Sequence, residues 1–557
     1  MHKTKQNSYK KLCQLSSFSF VFLALSSTIS YADTQQKLST SDTTTPTQIA
    51  LDKKCKGIVT AAGKYGRSRQ TNYGVFTNNS GFGPVGNYSW FAFGPNAPYA
   101  QARWAEDWSG LCNDPDKNKD WFNRLKYIPL NDSGNIWLSL NGAERFQYIF
   151  DSHAYMGYQN KKNSHRFLLR SIYGADLHVG SHVRAYVELI NAVAGGIRQF
   201  GYQTGTQRSR LNLQQGFLEL KNEMLGAKMG VIGGRQFFVD APAAMQSPRE
   251  LANIRQSWDG FRGYSIWKRF RIDLFDLWQT DEHNDQKVFT YGPNYNARLY
   301  GAYSSLALPS FYALGKKSQL FLDAFFIGYL FNGTTASIPT RQIAAMQKGS
   351  TRRDNIGGRI SGNVGTINID FTGVYQGGVF RPANNGNTRP VRAFLFSSLI
   401  SHTFKNVGGS LTVGLKSDYS SGGNYKKTTG AVRNFAVPYF PTTDLDMTLY
   451  LTTSNSVSTG PLITYIPRPD ILMVLHAPFI WRANTNDTVY GVGLTYPLRD
   501  NYSGGYIGSL PQFSLGYEII PHLVISTSVA GFIGSSSIKN AGAKDSAFVL
   551  ERLTFRF

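Results

Sequence analysis

From Ile136 onward, apolar and polar residues alternate in short runs separated by turn-forming residues. Phe167, Leu169, Tyr173, Ala175, Leu177 and Val179 hold one parity, and Arg166, Arg170, Asp176 and His178 the other. Val183, Ala185, Val187 and Leu189 stand opposite Arg184, Tyr186 and Glu188. Ile367, Ile369, Phe371 and Tyr375 stand opposite Asn368, Asp370, Thr372 and Gln376, as do Leu411, Val413 and Leu415 opposite Thr412 and Lys416. Successive side chains on a strand point to opposite faces, so this period predicts half-apolar β-strands rather than helices. At ~24 residues per strand and connection, the stretch to the C-terminus holds roughly 16–18 strands.

A soluble sandwich would alternate in the same way. Three further features favour a transmembrane antiparallel β-barrel, all-β in class. First, residues 1–32 read as a secretion signal. Lys3, Lys5, Lys10 and Lys11 precede a short apolar run from Phe18 to Leu25, and Ser30-Tyr31-Ala32 offers a small-residue cleavage site before Asp33. Second, the apolar faces are aromatic and β-branched across many segments. Third, the chain ends Leu553-Thr554-Phe555-Arg556-Phe557, an alternating strand with a terminal aromatic of the kind barrel-assembly machinery reads. In hydrocarbon every backbone N–H and C=O must be paired, and strands achieve this only by closing on themselves. A barrel of this size encloses water.

Residues 33–130 form a flexible and plug-like periplasmic segment ahead of the barrel at 131–557. Its first part, 33–56, is rich in Thr, Ser and Gln. Its second part has no clean period and carries a run of turn signals, Asn78-Asn79-Ser80-Gly81-Phe82-Gly83-Pro84, so it is expected to fold only against another body. Cys13 leaves with the signal. The remaining pair, Cys55 and Cys112, is expected to form a disulfide in an oxidising compartment, the alternative being two reduced thiols.

Composition sharpens the picture. Charged residues make only 17% of the 557, while aromatics make 14%, which excludes a long solvated coiled coil and wholesale disorder. The formal charge of +23 falls to +19 when the four signal lysines leave. Arg or Lys at the midplane of a lipid-facing wall costs ~2–4 kcal/mol. The surplus therefore belongs in the lumen, loops, turns or plug. Parity sends Arg145, Arg166, Arg170, Arg184, Arg359, Arg392, Arg552 and Arg556 inward. A low-dielectric channel so lined focuses an anion-attracting field. The bland alternative is that each pairs with a luminal acid such as Asp176, Glu188 or Asp370 and only stiffens the wall. Glu144 falls on the apolar parity of Leu138, Leu140 and Phe146, which a bulge near Gly142 would correct.

Catalytic chemistry is weakly signalled. Asp176 and His178 share one strand face, but no nucleophile motif accompanies them, and an ion pair explains them equally. His153 and His165 are far apart and the cysteines lack ligand spacing, so no metal and no cofactor is expected. A secreted chain makes nucleic acid a poor partner despite the basicity. An adhesive or structural barrel, using its Gly/Asn/Ser-rich loops, stays open as an alternative.

One resemblance goes further. Arg103, Glu106-Asp107-Trp108, Leu125-Lys126-Tyr127-Ile128-Pro129-Leu130 and Trp137 through Arg145 resemble the alginate export family of outer-membrane porins. So do Gly234-Arg235-Gln236, Pro248-Arg249-Glu250, Asn253, Arg255, Trp258-Asp259-Gly260-Phe261-Arg262, Leu415 through Gly422, Tyr439-Phe440-Pro441-Thr442, Arg482, Asp487 and Tyr490. The resemblance spans roughly residues 103–535. It implies an 18-stranded monomeric barrel that exports a polyuronate through an arginine-rich constriction gated by loops. Arg145, Arg235, Arg255, Arg262 and Arg359 are then candidates for the basic wall or loop contacts, alongside Arg170 and Arg184. Asp259 would orient a neighbouring arginine. The alternative for the Gly-Arg-Gln and Asp-Gly-Phe-Arg blocks is fold maintenance by a salt-bridged loop tucked into the lumen. The sequence departs from the pattern at Ile507-Gly508, where Ser509-Leu510-Pro511 follows. Expected partners are outer-membrane lipid and lipopolysaccharide, assembly machinery through Phe557, an anionic polysaccharide or solute, and periplasmic export proteins. A general or small-anion porin of the same fold is the competing function.

Overall fold

Alternation over 9–17 residues is converted into strands that hydrogen-bond in chain order. The computed structural model describes residues 99, 106, 108–112, 117–160, 162–197, 206–238, 242, 245, 249–267, 269–282, 287–332, 349–383, 386–405, 407–436, 447–491, 497–499 and 502–557. All lie in one unit, Leu51–Phe557. The expected signal, Cys55 and most of the pre-barrel segment lie outside the described residues.

The barrel strands are β1 (Ile136–Asp151), β2 (Ser164–Val179), β3 (Val183–Ile197), β4 (Ser209–Met224), β5 (Ala227–Gln236) and β6 (Trp258–Ile266). They continue with β7 (Phe270–Asp281), β8 (Gly292–Ala307), β9 (Lys316–Phe331), β10 (Gly349–Val364), β11 (Ile367–Pro382) and β12 (Arg389–Lys405). Next come β13 (Ser410–Ser420) and β14 (Ser456–Ile466). β15 is split into Ile471–His476 and Phe479–Trp481, and β16 into Tyr506–Ser509 and Gln512–Ile520. Pro478 and Pro511 fall at these breaks, where a residue without an N–H leaves the ladder. β17 (Leu523–Gly534) and β18 (Ser546–Arg556) complete the wall. Every neighbouring pair is antiparallel, and β18 returns to β1 with Arg145 opposite Thr554 and Asp151 opposite Phe548. The described residues thus form a closed antiparallel barrel of 18 strands. Short turns such as Leu225-Gly226 gather at one end and long connections at the other, the usual periplasmic and outer ends.

Burial follows the predicted parity. On β2, Arg166, Arg170, Asp176 and His178 are buried, while Phe167 and Tyr173 are about half exposed. Phe261, Leu274, Phe394, Phe396 and Leu415 are likewise exposed on the outward parity, as a lipid-facing wall requires. Among the described residues, loop segments fold inward against the luminal wall. Phe238, Met245 and Phe435 pack with wall residues Trp258, Leu299 and Tyr329. Met447, Tyr450 and Leu451 do the same against Ile149, Leu168 and Val474.

Two local features bear on earlier expectations. The β1 ladder runs without a register shift past Gly142, so no bulge rescues Glu144. Glu144 faces outward, where its carboxylate accepts from Ser171 Oγ at 2.7 Å and Tyr173 OH at 2.5 Å. The anomaly was a real outward acid satisfied by two hydroxyls. Gly142 also exchanges two backbone hydrogen bonds with Phe557, each 3.0 Å. A Cβ at Gly142 would lie 2.5 Å from the Phe557 ring, so only glycine lets the last aromatic lie on the wall. Phe122 stacks on that ring at 5.5 Å, so the end of the pre-barrel segment covers it.

Candidate functional site

β1 and β2 place Arg145 and Arg170 directly opposite each other on the luminal face. Like charges in that position repel unless an acid meets them. The acid is Glu250, on the inward-folded segment between β5 and β6. Its Oε1 accepts from Arg145 Nη1 at 2.7 Å and Arg170 Nη2 at 2.7 Å, and its Oε2 accepts from Arg255 Nε at 2.8 Å. Arg552, on β18, stands beside them and donates to Gln147 Oε1 at 2.8 Å. Backbone ties finish the dock. Arg145 donates to the Glu250 and Ala252 carbonyls, and Asn253 Nδ2 reaches the Leu169 and Val193 carbonyls at 3.0 Å.

Burial alone would favour a neutral Glu250. Arg170, Arg255 and Arg145 outweigh it and hold the carboxyl well below the usual carboxylate range. Burial also brings Arg255 down to about 10, still charged at neutral pH. Chemically, the site is a carboxylate receptor: three guanidiniums converge on one carboxylate in a buried setting.

The other candidates are distributed around the wall. Arg184 donates Nε to Asp176 Oδ1 at 2.7 Å and also meets Glu219 at 3.4 Å. Arg262 forks onto Asp273, at 3.0 and 2.8 Å from Oδ1. Arg359 pairs bidentately with Asp370 at 2.7 and 2.6 Å. For Arg184 and Arg359 the wall-stiffening alternative describes the geometry, and the Arg262–Asp273 pair likewise spans two neighbouring strands. The Asp176 carboxylate is engaged by Arg184, and His178 lies flat on Trp137 with ring centroids 3.9 Å apart.

Three placements differ from the inward reading. Arg235 and Asp259 share the outward parity with Gly233 and Phe261, opposite each other on β5 and β6. Asp259 does orient Arg235, accepting its Nε at 2.8 Å, but on the outer side of the wall. Arg235 also donates to the Leu213 and Tyr291 carbonyls, which supply neutral acceptors there. Arg392 is exposed and shares its parity with outward Phe394 and Phe396, so it too faces outward. Cys112 is disulfide-bonded.

Sequence reasoning gave no role to two acids. Glu250 sits in an aperiodic loop, and only in-folding reveals its partners. Asp487 accepts from the Gly423 N–H at 2.7 Å, the Thr488 N–H at 3.0 Å and Tyr490 OH at 2.7 Å, and also from Asn434. It thereby ties the connection after β13 to the connection after β15.

Among curated proteins none matches the chain. The fold is similar to Pseudomonas aeruginosa OccK11 (OpdR), at 12% identity and TM-score 0.42, covering 75% of this chain and 96% of that one. It is also similar to Pseudomonas aeruginosa OpdO, at 11% identity and TM-score 0.47, covering 75% and 97%. Acinetobacter baumannii OccAB4 is similar at 10% identity and TM-score 0.46, covering 75% and 97%. The model of the alginate export family matches residues 136–549, most of the chain and nearly all of the barrel. The chain therefore belongs to the alginate export family and is an outer-membrane β-barrel channel.

Proposed function

We propose that the channel passes an acidic polysaccharide of the polyuronate type, by passive diffusion through an arginine-biased lumen. The observation that supports this reading is the convergence of Arg145, Arg170 and Arg255 on the single carboxylate of Glu250, with Arg552 beside them. At neutral pH three cations face one anion, and a uronate carboxylate has the same shape and charge as the Glu250 side chain. A sugar acid offers the functional group for which these guanidinium forks are organised, and it reaches them when the loop carrying Glu250 undocks. Exchange between successive sites, each weak enough to release, moves the chain along without a chemical step. One barrel encloses its own passage, so the reading requires no second subunit.

The test is current block in planar bilayers. Polyuronate oligomers should interrupt the current, whereas a neutral glucan of equal length should not. Equal block by both polymers would refute acidic-polymer selectivity. Passage of small anions with no polyuronate block would favour a small-anion porin of the same fold.

A further inference from the structure

The outer wall is not uniformly apolar. On β13 the outward positions carry Val413, Leu415 and Tyr419, and on β17 Ile525 and Val529, all well exposed. From β7 to β12 the outward rows instead carry arginines and aspartates. Cross-strand register places Arg298 opposite Trp278 and Leu330, and Arg352 opposite Leu330 and Val379. Asp354 lies opposite Gly328 and Gly377, and Gly377 opposite Arg392. Arg381 is two residues along β11 from Val379, on the same face.

Two of these cations are neutralised in place. Asp276 takes Arg298 at 2.6 and 2.5 Å. Asp354 takes Arg352 at 3.1 Å and accepts from Tyr300 OH at 2.7 Å. Arg381 and Arg392 are exposed, and neither makes an ion pair among the described residues. Arg352 stays more than half exposed despite its partner. This sector of wall therefore carries a net positive charge where lipid would be expected.

Height explains how the membrane tolerates it. β10 and β11 are 16 residues long and β12 is 17. At ~3.3 Å per residue and ~40° of tilt such strands rise about 40 Å, against an apolar band of ~25 Å. Arg352 and Arg392 sit three residues inside the loop-side ends of β10 and β12, and Arg381 one residue inside that of β11. Exposed Ile356, Tyr375 and Phe394 begin the apolar wall immediately beneath. The three arginines thus stand at the level of outer-leaflet headgroups. Strands ~4.8 Å apart bring their long side chains within reach of one headgroup.

We propose that Arg352, Arg381 and Arg392 form a site on the outer wall for a phosphorylated headgroup of the outer leaflet, the phosphates of lipid A. Guanidinium forks match phosphate oxygens bidentately, and the neighbouring apolar wall receives the acyl chains. The site is independent of the luminal chemistry and faces the opposite side of the wall.

The experiment is native mass spectrometry of the full chain in non-ionic detergent. It is titrated with bisphosphorylated lipid A and, separately, with the same lipid after phosphate removal. The wild-type barrel should retain the phosphorylated lipid at least tenfold more tightly. Arg381→Ser/Arg392→Ser should erase that preference while leaving the dephosphorylated lipid bound as before, and millimolar inorganic phosphate should not displace the intact lipid. Unchanged heat-modified gel migration of the variant shows that its barrel is folded. Equal retention of both lipids by the wild type, or an undiminished preference in the double variant, overturns the assignment. So does displacement by free phosphate, or a wild-type dimer that the double variant abolishes, which would make the patch an interface between copies.

Discussion

Replacing Glu250 with Gln keeps the side chain's shape and removes the charge on which Arg145, Arg170 and Arg255 converge. Glu250 is 2% exposed, so its charge cannot be replaced by bulk water without moving the loop. Removing one partner of a buried ion pair costs ~3–5 kcal/mol. The backbone ties from Arg145 and Asn253 survive the change, which places the loss of docking at the lower end, about 3 kcal/mol. At ~1.4 kcal/mol per decade that is about a hundredfold more undocked loop. Amide exchange at 250–257 should accelerate by about that factor, while β1 and β2 exchange as before. Open-channel current should become noisier, and preference for anions should increase because one luminal acid is lost. Since the Glu250 carboxyl is depressed in the folded state, its contribution is complete above the ordinary carboxylate range near ~4.3. It is lost only as pH falls through the depressed value, so this carboxylate itself adds no pH dependence to docking between pH 8 and 5. Unaltered loop exchange in Glu250→Gln would refute the idea that this carboxylate holds the loop.

Further outcomes follow from the same geometry. Burial raises Glu282 to about 7 against the opposing charge of its partner Arg249. A raised carboxyl weakens its surroundings as pH climbs from ~4.5 through 7, so exchange around 249–257 should quicken over that window and lose the dependence in Glu282→Gln. Gly142→Val should clash with the Phe557 ring and lower the yield of heat-modifiable barrel, whereas Gly373→Ala, with open space around it and an ordinary strand φ, should be mild. Asp487→Ala strands the Asn434 and Tyr490 donors and should cost ~1–3 kcal/mol, seen as faster proteolysis of 421–436 with the barrel intact.

Much of the architecture was legible because strand parity is a local signal. Arg166, Arg170 and Arg184 alternate with Phe167, Leu169 and Ala185, and a lipid-facing wall admits only one assignment. The same rule, applied to Phe394 and Phe396, would have turned Arg392 outward. Charge is not inward by default, because strand ends rise above the hydrocarbon. Arg235 and Asp259 were recognisable as a motif and even as partners. Their side of the wall was not, because Gly233, Gly234 and Gly260 leave β5 and β6 without a readable face there. Glu250 was legible as part of a motif, but its role was not. Its wall partners Arg170 and Arg145 lie about 80 and 105 residues away in sequence, and no period links a loop acid to the wall it folds against.

The most direct measurement of the central claim is the reversal potential of single channels across a tenfold KCl gradient. It should be made for the wild type and for Arg552→Gln, which removes a luminal guanidinium whose fork is held by Gln147 and leaves Arg145, Arg170 and Arg255 in place. A sign reporting anion preference, reduced in the variant and screened as bulk salt rises, is the predicted result. Cation preference, or anion preference untouched by the substitution, would contradict an arginine-biased lumen.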